Sequence, residues 1–357
     1  MAISNHDGSS TYTEIKRQQK LWKTALDALT VKKEEYEKLL TCWHDRTWVF
    51  SGCGTSFYLA QTASHLFGEE TLLPVKAVPA SEILISPRNV FNVNQKNLLI
   101  ALSRSGTTTE IVKAVLKAKK EFGIPSLAVS CDQQSTMSVS SDFRLQFPFL
   151  KEKSVVMTGS FTTMLISIIF LASLKQSKDD SLPDLYMVAD QSEQVMNGYE
   201  DLVREIANLP EITNYVFLGQ GTFYGIANEA GLKMQEMSLS PAQSYHSLEY
   251  RHGPMSTADA STLITILCSQ SGAGLDAQLV NDLKKLGSKI LVMGDGLALR
   301  DSCKADYKVT LPHLSPDGLN SLLVMPLLQL LGFYKAKAKD MDPDQPKNLS
   351  AVVELNL

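Results

Sequence analysis

The strongest constraint on this chain is that it repeats itself. Trp48-Val49-Phe50-Ser51-Gly52-Cys53-Gly54-Thr55 returns about 167 residues later as Tyr215-Val216-Phe217-Leu218-Gly219-Gln220-Gly221-Thr222. Each copy is a short apolar run that meets a Gly-x-Gly-Thr turn and continues into a helical pattern, as a buried strand feeding a helix does. Two further pairs follow in the same order at nearly the same offset. Leu98 to Leu102 running into Ser103-Arg104-Ser105-Gly106 matches Leu263 to Cys268 running into Ser269-Gln270-Ser271-Gly272. Ser126 to Ser130 matches Lys289 to Met293 more weakly. Three matches in one order mean duplication.

Strands that are apolar throughout alternate here with helical stretches such as Thr109 to Phe122 and Leu275 to Leu286. That pattern predicts parallel sheets covered on both faces. The expected fold is therefore α/β, with two doubly wound parallel-sheet domains, each a three-layer α/β/α unit. Their expected spans are 1–181 and 182–357, with the polar stretch Lys175 to Pro183 as linker. The charged amphipathic pattern from Thr13 to Leu40 predicts a helix or helical hairpin packing across both halves. Leu319 to Ala338 predicts an apolar closing helix, kinked or started near Pro326.

A chain of 357 residues can supply two cores. Its formal net charge of −4 gives no electrostatic reason to expect nucleic acid or an anionic membrane as partner. The five cysteines (Cys42, Cys53, Cys131, Cys268, Cys303) are odd in number and lack a C-x-x-C pair. This argues against a disulfide framework or a structural zinc site and predicts a reducing, cytoplasmic setting. Met1 to about Lys20 is polar, without the apolar core of a signal peptide. The apolar stretch Phe161 to Leu174, 14 residues long, is too short to span a bilayer and reads as a buried helix.

The Gly52-Cys53-Gly54 turn is not a dinucleotide fingerprint. The third glycine of G-x-G-x-x-G falls at Phe57, and at Tyr224 in the second copy, so the close packing against a pyrophosphate is not encoded. The stretch Ser103-Arg104-Ser105-Gly106-Thr107-Thr108-Thr109-Glu110 is more informative. It sets hydroxyls and a glycine between a buried strand and a helix start, where unpaired N–H groups and the helix dipole favour an anion such as phosphate. An ordinary Ser/Thr cap with Glu110 in the first turn accounts for the same residues. The matching Ser269-Gln270-Ser271-Gly272-Ala273-Gly274 has fewer hydroxyls and is expected to keep the shape without the phosphate.

Acid–base candidates gather in the second half. Glu229, Lys233 and Glu236 stand at i, i+4 and i+7, on one helical face. A solvated salt-bridging stripe is the ordinary explanation, yet the flanking Ile226, Ala227, Ala230, Leu232 and Met234 make this helix mostly apolar. His252, held at a bend by Gly253-Pro254 and close to Glu249 and Arg251, is a candidate for proton transfer near neutral pH. A structural histidine fits that position too.

Gly52-Cys53-Gly54-Thr55-Ser56, Ser103-x-Ser105-Gly106-x-Thr108, Glu229-x-x-x-Lys233-x-x-Glu236 and Glu249-x-x-His252-Gly253-Pro254 together resemble the double sugar-isomerase (SIS) domain family. The likeness runs through nearly the whole chain to Asp344-Gln345-Pro346-Lys347-Asn348-Leu349. It extends to the isomerase half of glutamine:fructose-6-phosphate amidotransferase, to stand-alone glucosamine-6-phosphate deaminases and to tagatose-6-phosphate ketose/aldose isomerases. The resemblance implies that Thr55, Ser56, Ser103, Ser105 and Thr108 hold a sugar phosphate; Arg104 departs from the neutral residue usual in the amidotransferase loop and is expected to add a direct phosphate contact. It implies that Glu236 shuttles a proton between C1 and C2, that Lys233 and Glu229 line the site, and that Val155 contacts the sugar through its backbone. Ring opening falls to His252, which in the family comes from the neighbouring subunit, so a homodimer is expected; Glu249 is expected among the substrate-binding residues. No metal or organic cofactor is required.

Two departures shape the functional expectation. No glutaminase domain precedes the motifs and position 2 is not cysteine, so ammonia from glutamine is not expected; the family's ring-opening lysine falls at Ala351. The expected activity is isomerisation with deamination of an open-chain aminosugar-6-phosphate, releasing ammonia and a ketose phosphate. Plain ketose/aldose isomerisation and a non-catalytic sugar-phosphate sensor are the alternatives.

Overall fold

The repeated apolar runs form the central strands of two parallel sheets in the computed structural model. It describes residues 8–92, 94–175, 181–299, 304–350, 352, 353 and 355. The first sheet contains β1 (Thr47–Gly52), β2 (Val75–Pro79), β3 (Asn97–Ser103), β4 (Ser126–Ser130) and β5 (Phe143–Gln146), in the order β2-β1-β3-β4-β5. The second contains β6 (Asn214–Gly219), β7 (Ala242–His246), β8 (Thr262–Leu267), β9 (Lys289–Asp295) and β10 (Tyr307–Leu311). Its order, β10-β9-β8-β6-β7, is the same arrangement read from the other edge. Every pairing is parallel. The expected duplicated, doubly wound α/β fold is what the chain adopts.

The central strands β3 and β8 are buried at every residue, which is why they read as unbroken apolar runs. In each sheet the chain runs outward from the first strand to the second, then returns to the first strand's other side. The crevice opened by that reversal lies at the carboxyl ends of β1 and β3, and of β6 and β8, where open α/β sheets bind ligands.

Contacts divide the chain into two units. One comprises Arg17–Lys153, Met157–Ala189 and Ser350–Leu357, and holds the first sheet; the other comprises Met1–Lys16, Ser154–Val156 and Asp190–Leu349, and holds the second. Residues 176–180 of the expected linker lie outside the described residues; a helix, Ser181–Ala207, follows them.

The N-terminal segment is three helices, Ser9–Lys16, Gln18–Val31 and Lys33–Cys42, rather than one helix or a hairpin. Arg17 and Lys32 leave α geometry between them. The second helix is seated in the first unit by Thr162, which hydrogen-bonds Gln18 at 2.6 Å and the Trp22 indole at 2.9 Å. The first helix belongs to the other unit. There Asp344 accepts the N–H groups of Ser10 (3.0 Å) and Thr11 (2.7 Å), giving the family-like ending a capping role.

The stretch expected as a buried helix is Gly159–Lys175, buried through most of its length. The closing helix is Asn320–Ala338 and carries Pro326 inside it. Among the described residues one stretch, Asp317–Ala338, is long and apolar enough to cross a membrane, and its most apolar 18-residue window is wholly buried inside the protein.

Candidate functional site

In the first unit, Gly52 and Gly54 allow the strand-to-helix turn. A Cβ on Gly52 would lie 2.5 Å from the Ser56 backbone, and Gly54 adopts φ 52°. Thr55 and Ser56 open the helix Thr55–Thr71 beside the end of β1, and both are buried. From the end of β3, the Ser103 hydroxyl accepts the Gly106 N–H at 3.0 Å and closes the neighbouring loop. Ser105 Oγ accepts the Thr107 N–H (3.2 Å) and hydroxyl (3.1 Å). Gly106 sits at φ 65°, so close to Ser135 that a Cβ would lie 2.1 Å from its Oγ.

Thr108 holds the N-cap position of the helix Thr109–Phe122, yet its side chain bonds none of that helix's N–H groups. The ordinary-cap explanation of this loop therefore does not describe Thr108. Glu110 does stand in the first turn. Arg104 points its charge inward: Nη1 donates to Glu152 Oε2 at 3.1 Å. Cys53 is pushed up to about 12, first by burial and then by the nearby Glu110 carboxylate, which leaves it a neutral thiol.

In the second unit, the helix Thr222–Ser238 carries Glu229, Lys233 and Glu236. Glu229 and Lys233 are 0% exposed, which rules out a solvated stripe. Lys233 Nζ lies 3.2 Å from Glu229 Oε1 and forms a second, shorter ion pair with Glu236. Burial pushes the Lys233 ammonium down, but Glu229 and Glu236 outweigh it and hold it above the usual lysine value. Glu236 is the member that reaches the surface, with 14% of its side chain exposed. The arrangement is thus a buried cation between two carboxylates, one of them accessible.

Two features fix this helix. Gly332 brings Asn320–Ala338 so near that a Cβ there would lie 3.2 Å from the Lys233 carbonyl oxygen. Lys339 Nζ donates to the Ser238 carbonyl at 2.7 Å, at the negative end of the helix dipole.

Glu249 opens a short 3-10 turn, Glu249–Arg251, and His252 follows it, its N–H on the Glu249 carbonyl at 3.0 Å; Gly253 takes φ 124°. Both Glu249 and His252 are exposed. Among the described residues no hydrogen bond or ion pair joins the His252 side chain to Glu229, Lys233 or Glu236. The Val155 N–H donates to the Asp344 carbonyl at 3.5 Å. Ala351 lies outside the described residues. The four described cysteines form no disulfide, and no cluster of three or more His, Cys, Asp or Glu side chains among the described residues is placed to hold a metal.

Sequence reasoning passed over two polar groupings. Glu152 gathers Arg104, Thr158 and Ser160. In the second unit, Asp295 accepts from Gln270 Nε2 (2.6 Å) and meets His313 (3.0 Å), while the Gln270 N–H goes to Asp317 (2.6 Å). The partners stand far apart in the chain, and only the loop positions Arg104 and Gln270 hinted at them.

Residues 39–174, the strands and loops of the first sheet, match the SIS domain family model. That stretch of the chain is a SIS domain. The second sheet repeats the same strand order. A glucosamine-6-phosphate deaminase from Thermotoga maritima shares the fold with a TM-score of 0.82 and 28% identity, over 97% of this chain and 100% of that one. A tagatose-6-phosphate ketose/aldose isomerase from Escherichia coli gives 0.86 at 21% identity, over 98% and 97%. Glutamine–fructose-6-phosphate aminotransferase (isomerizing) of Vibrio vulnificus is 27% identical over 311 residues, which is 84% of this chain and 50% of that protein. The chain thus spans about half the length of the curated relatives it matches.

Proposed function

We propose that this protein is a cytosolic phosphosugar isomerase that acts as a deaminase on an open-chain aminosugar-6-phosphate. The observation that carries the reading is the buried Glu229–Lys233–Glu236 cluster, in which a fixed cation stands against one accessible carboxylate. A sensor needs a phosphate loop but no such proton-transfer apparatus. The 28% likeness to a glucosamine-6-phosphate deaminase favours the amino sugar over its hydroxyl counterpart.

In this reading the hydroxyl loop of Thr55, Ser56, Ser103, Ser105 and Thr108 takes the phosphate through neutral donors and helix-terminal N–H groups. Glu236 removes the proton from C2 of the open-chain aminoaldose and returns it to C1. The Lys233 cation offsets the negative charge that builds on the enediol-like intermediate. The product of that transfer is an imine at C2; water adds to it, and ammonia leaves with a ketose phosphate. With a hydroxyl at C2 the same transfer is simple isomerisation. His252, exposed and without a polar side-chain partner among the described residues, fits a ring-opening role in the site of a second subunit, with Glu249 beside it. The active form is then a homodimer. Val155 supplies a backbone contact to the sugar.

The test is ammonia release from glucosamine-6-phosphate and galactosamine-6-phosphate by the wild type and by Glu236→Gln. Release that the substitution abolishes establishes the deaminase and its sugar. A wild type that releases none from either sugar overturns it, and interconversion of ketose and aldose phosphates then becomes the reading to assay.

A further inference from the structure

Arg104 stands second in the hydroxyl loop, and its partner is unusual. Glu152 has a side chain 1% exposed, against 16% for Arg104. Besides Arg104 Nη1 at 3.1 Å, the same carboxylate takes four more donors. Oε1 accepts the Thr158 N–H (3.1 Å), the Thr158 hydroxyl (3.0 Å) and the Ser160 N–H (2.9 Å). Oε2 accepts the Ser160 hydroxyl at 2.6 Å. Thr158 and Ser160 flank Gly159, the first residue of the helix Gly159–Lys175. One buried carboxylate therefore closes the start of a core helix and holds the only cation of the Ser103–Thr109 loop. The main chain of Arg104 is held as well, its carbonyl accepting the Cys131 N–H at 3.1 Å beyond the end of β4.

Five donors exceed the roughly four lone-pair sites of a carboxylate, so Glu152 has little freedom to turn. A guanidinium tied to it loses the rotamer freedom that a surface arginine keeps. Its fork presents five N–H groups, and one of those on Nη1 goes to Glu152.

We propose that Glu152 is a positioning residue for phosphate binding: it fixes the Arg104 guanidinium at the hydroxyl loop so that the fork bridges carboxylate and substrate phosphate. The inference rests on the sugar-phosphate reading above and adds a residue that works on the ligand only through Arg104. Pairing with Glu152 also neutralises much of the arginine charge. The loop then selects a phosphate group by geometry rather than gathering anions in general.

The experiment measures binding of glucosamine-6-phosphate and of inorganic phosphate by calorimetry, together with KM and kcat. The variants are Glu152→Gln, Arg104→Gln and the double substitution. Glutamine keeps an oxygen for the Thr158 and Ser160 N–H groups but turns an NH2 toward Arg104, so it breaks the tether and spares the helix start. Each single variant is expected to bind both probes about tenfold more weakly, with KM raised and kcat little changed. The double variant is expected to bind no worse than Arg104→Gln, because Glu152 acts through that side chain.

A purely structural Glu152 would lower the unfolding temperature and leave the dissociation constants within twofold of wild type, and that result overturns the proposal. So do losses that multiply in the double variant. Should Glu152→Gln fail to fold, Arg104→Lys decides: it keeps the charge without the fork, and binding within twofold of wild type rejects the bridge. A wild type that binds neither probe overturns the sugar-phosphate reading and this inference together, whereas wild-type binding with unaffected variants overturns this inference alone.

Discussion

The loops at the carboxyl ends of β1 and β3 in the first unit, and of β6 and β8 in the second, have nearly the same backbone and opposite chemistry. Gly54 has φ 52° and ψ −125°, and Gly221 has φ 54° and ψ −126°. Ser103 accepts the Gly106 N–H at 3.0 Å, and Ser269 accepts the Gly272 N–H at 3.1 Å. Around the first loop stand the hydroxyls of Ser103, Ser105, Thr107 and Thr108, with Arg104. Around the second, Asp317 already takes the Gln270 N–H, and Asp295 takes the Gln270 side chain. Two carboxylates there oppose a bound phosphate. The two copies share the cradle and differ in the charges set around it.

The helices that follow the Gly-x-Gly-Thr turns differ in the reverse sense. Glu229, Lys233 and Glu236 correspond by the repeat offset to Thr62, Leu66 and Glu69. Lys233 and Leu66 are both buried, one as an ion between carboxylates and the other as core. Lys233→Met strips two carboxylates of their cation and is expected to destabilise the protein by roughly 3–5 kcal/mol. Leu66→Met should cost less than about 1.5 kcal/mol. Denaturant unfolding reads both, and equal losses would break the contrast.

Asp276 and Glu110 are counterparts too, each in the first turn after its loop. Burial raises Asp276 to about 6 from the model-peptide 3.8, against weaker opposing hydrogen bonds from Cys268 and Ser247. The folded state therefore holds this proton more tightly than the unfolded chain. The stability it contributes is full below about pH 4 and is lost as pH rises through about 6. Asp276→Asn is expected to match the wild type near pH 4 and to exceed it by up to about 3 kcal/mol at pH 8. Urea midpoints at the two pH values check the sign.

The loop hydroxyls give a smaller effect. Thr108→Val is expected to raise KM for the sugar phosphate about tenfold with kcat nearly unchanged. Ser271→Ala in the other loop should leave both within twofold. A shift of similar size in both variants would mean that the second cradle also binds the substrate.

The smallest effect should be symmetric. Both of these helices end on a leucine in the left-handed region, Leu72 at φ 56° and Leu239 at φ 48°. Leu72→Gly and Leu239→Gly should each stabilise by up to about 1 kcal/mol, read as a rise in Tm.

What the sequence made legible follows the same division between backbone and charge. The repeats announced β1, β3 and β4 and their copies because those strands are buried and apolar. The edge strands β2, β5, β7 and β10 escaped notice: β2 is half-buried throughout and β5 is exposed at two of its four residues, so neither carries the unbroken apolar run. The spacing of Glu229, Lys233 and Glu236 gave the shared face, and burial settled that it is a charged core rather than a surface stripe. Glu152 gave no signal because its partners lie at Arg104, Thr158 and Ser160, joined only by folding. The His252 turn was visible from Gly253-Pro254, and the fold leaves that side chain exposed.

The central claim is that Glu236 moves a proton between C1 and C2 of a phosphorylated sugar. Its most direct test is solvent exchange into the ketose phosphate. Fructose-6-phosphate and tagatose-6-phosphate would be incubated with enzyme in D2O, and the C1 proton signals followed by NMR. The account predicts that the wild type washes deuterium into C1 of one of them, and that Glu236→Gln slows this about 10²–10⁴-fold while still binding the sugar. Exchange at the wild-type rate in Glu236→Gln, or none from the wild type with either sugar, would contradict it.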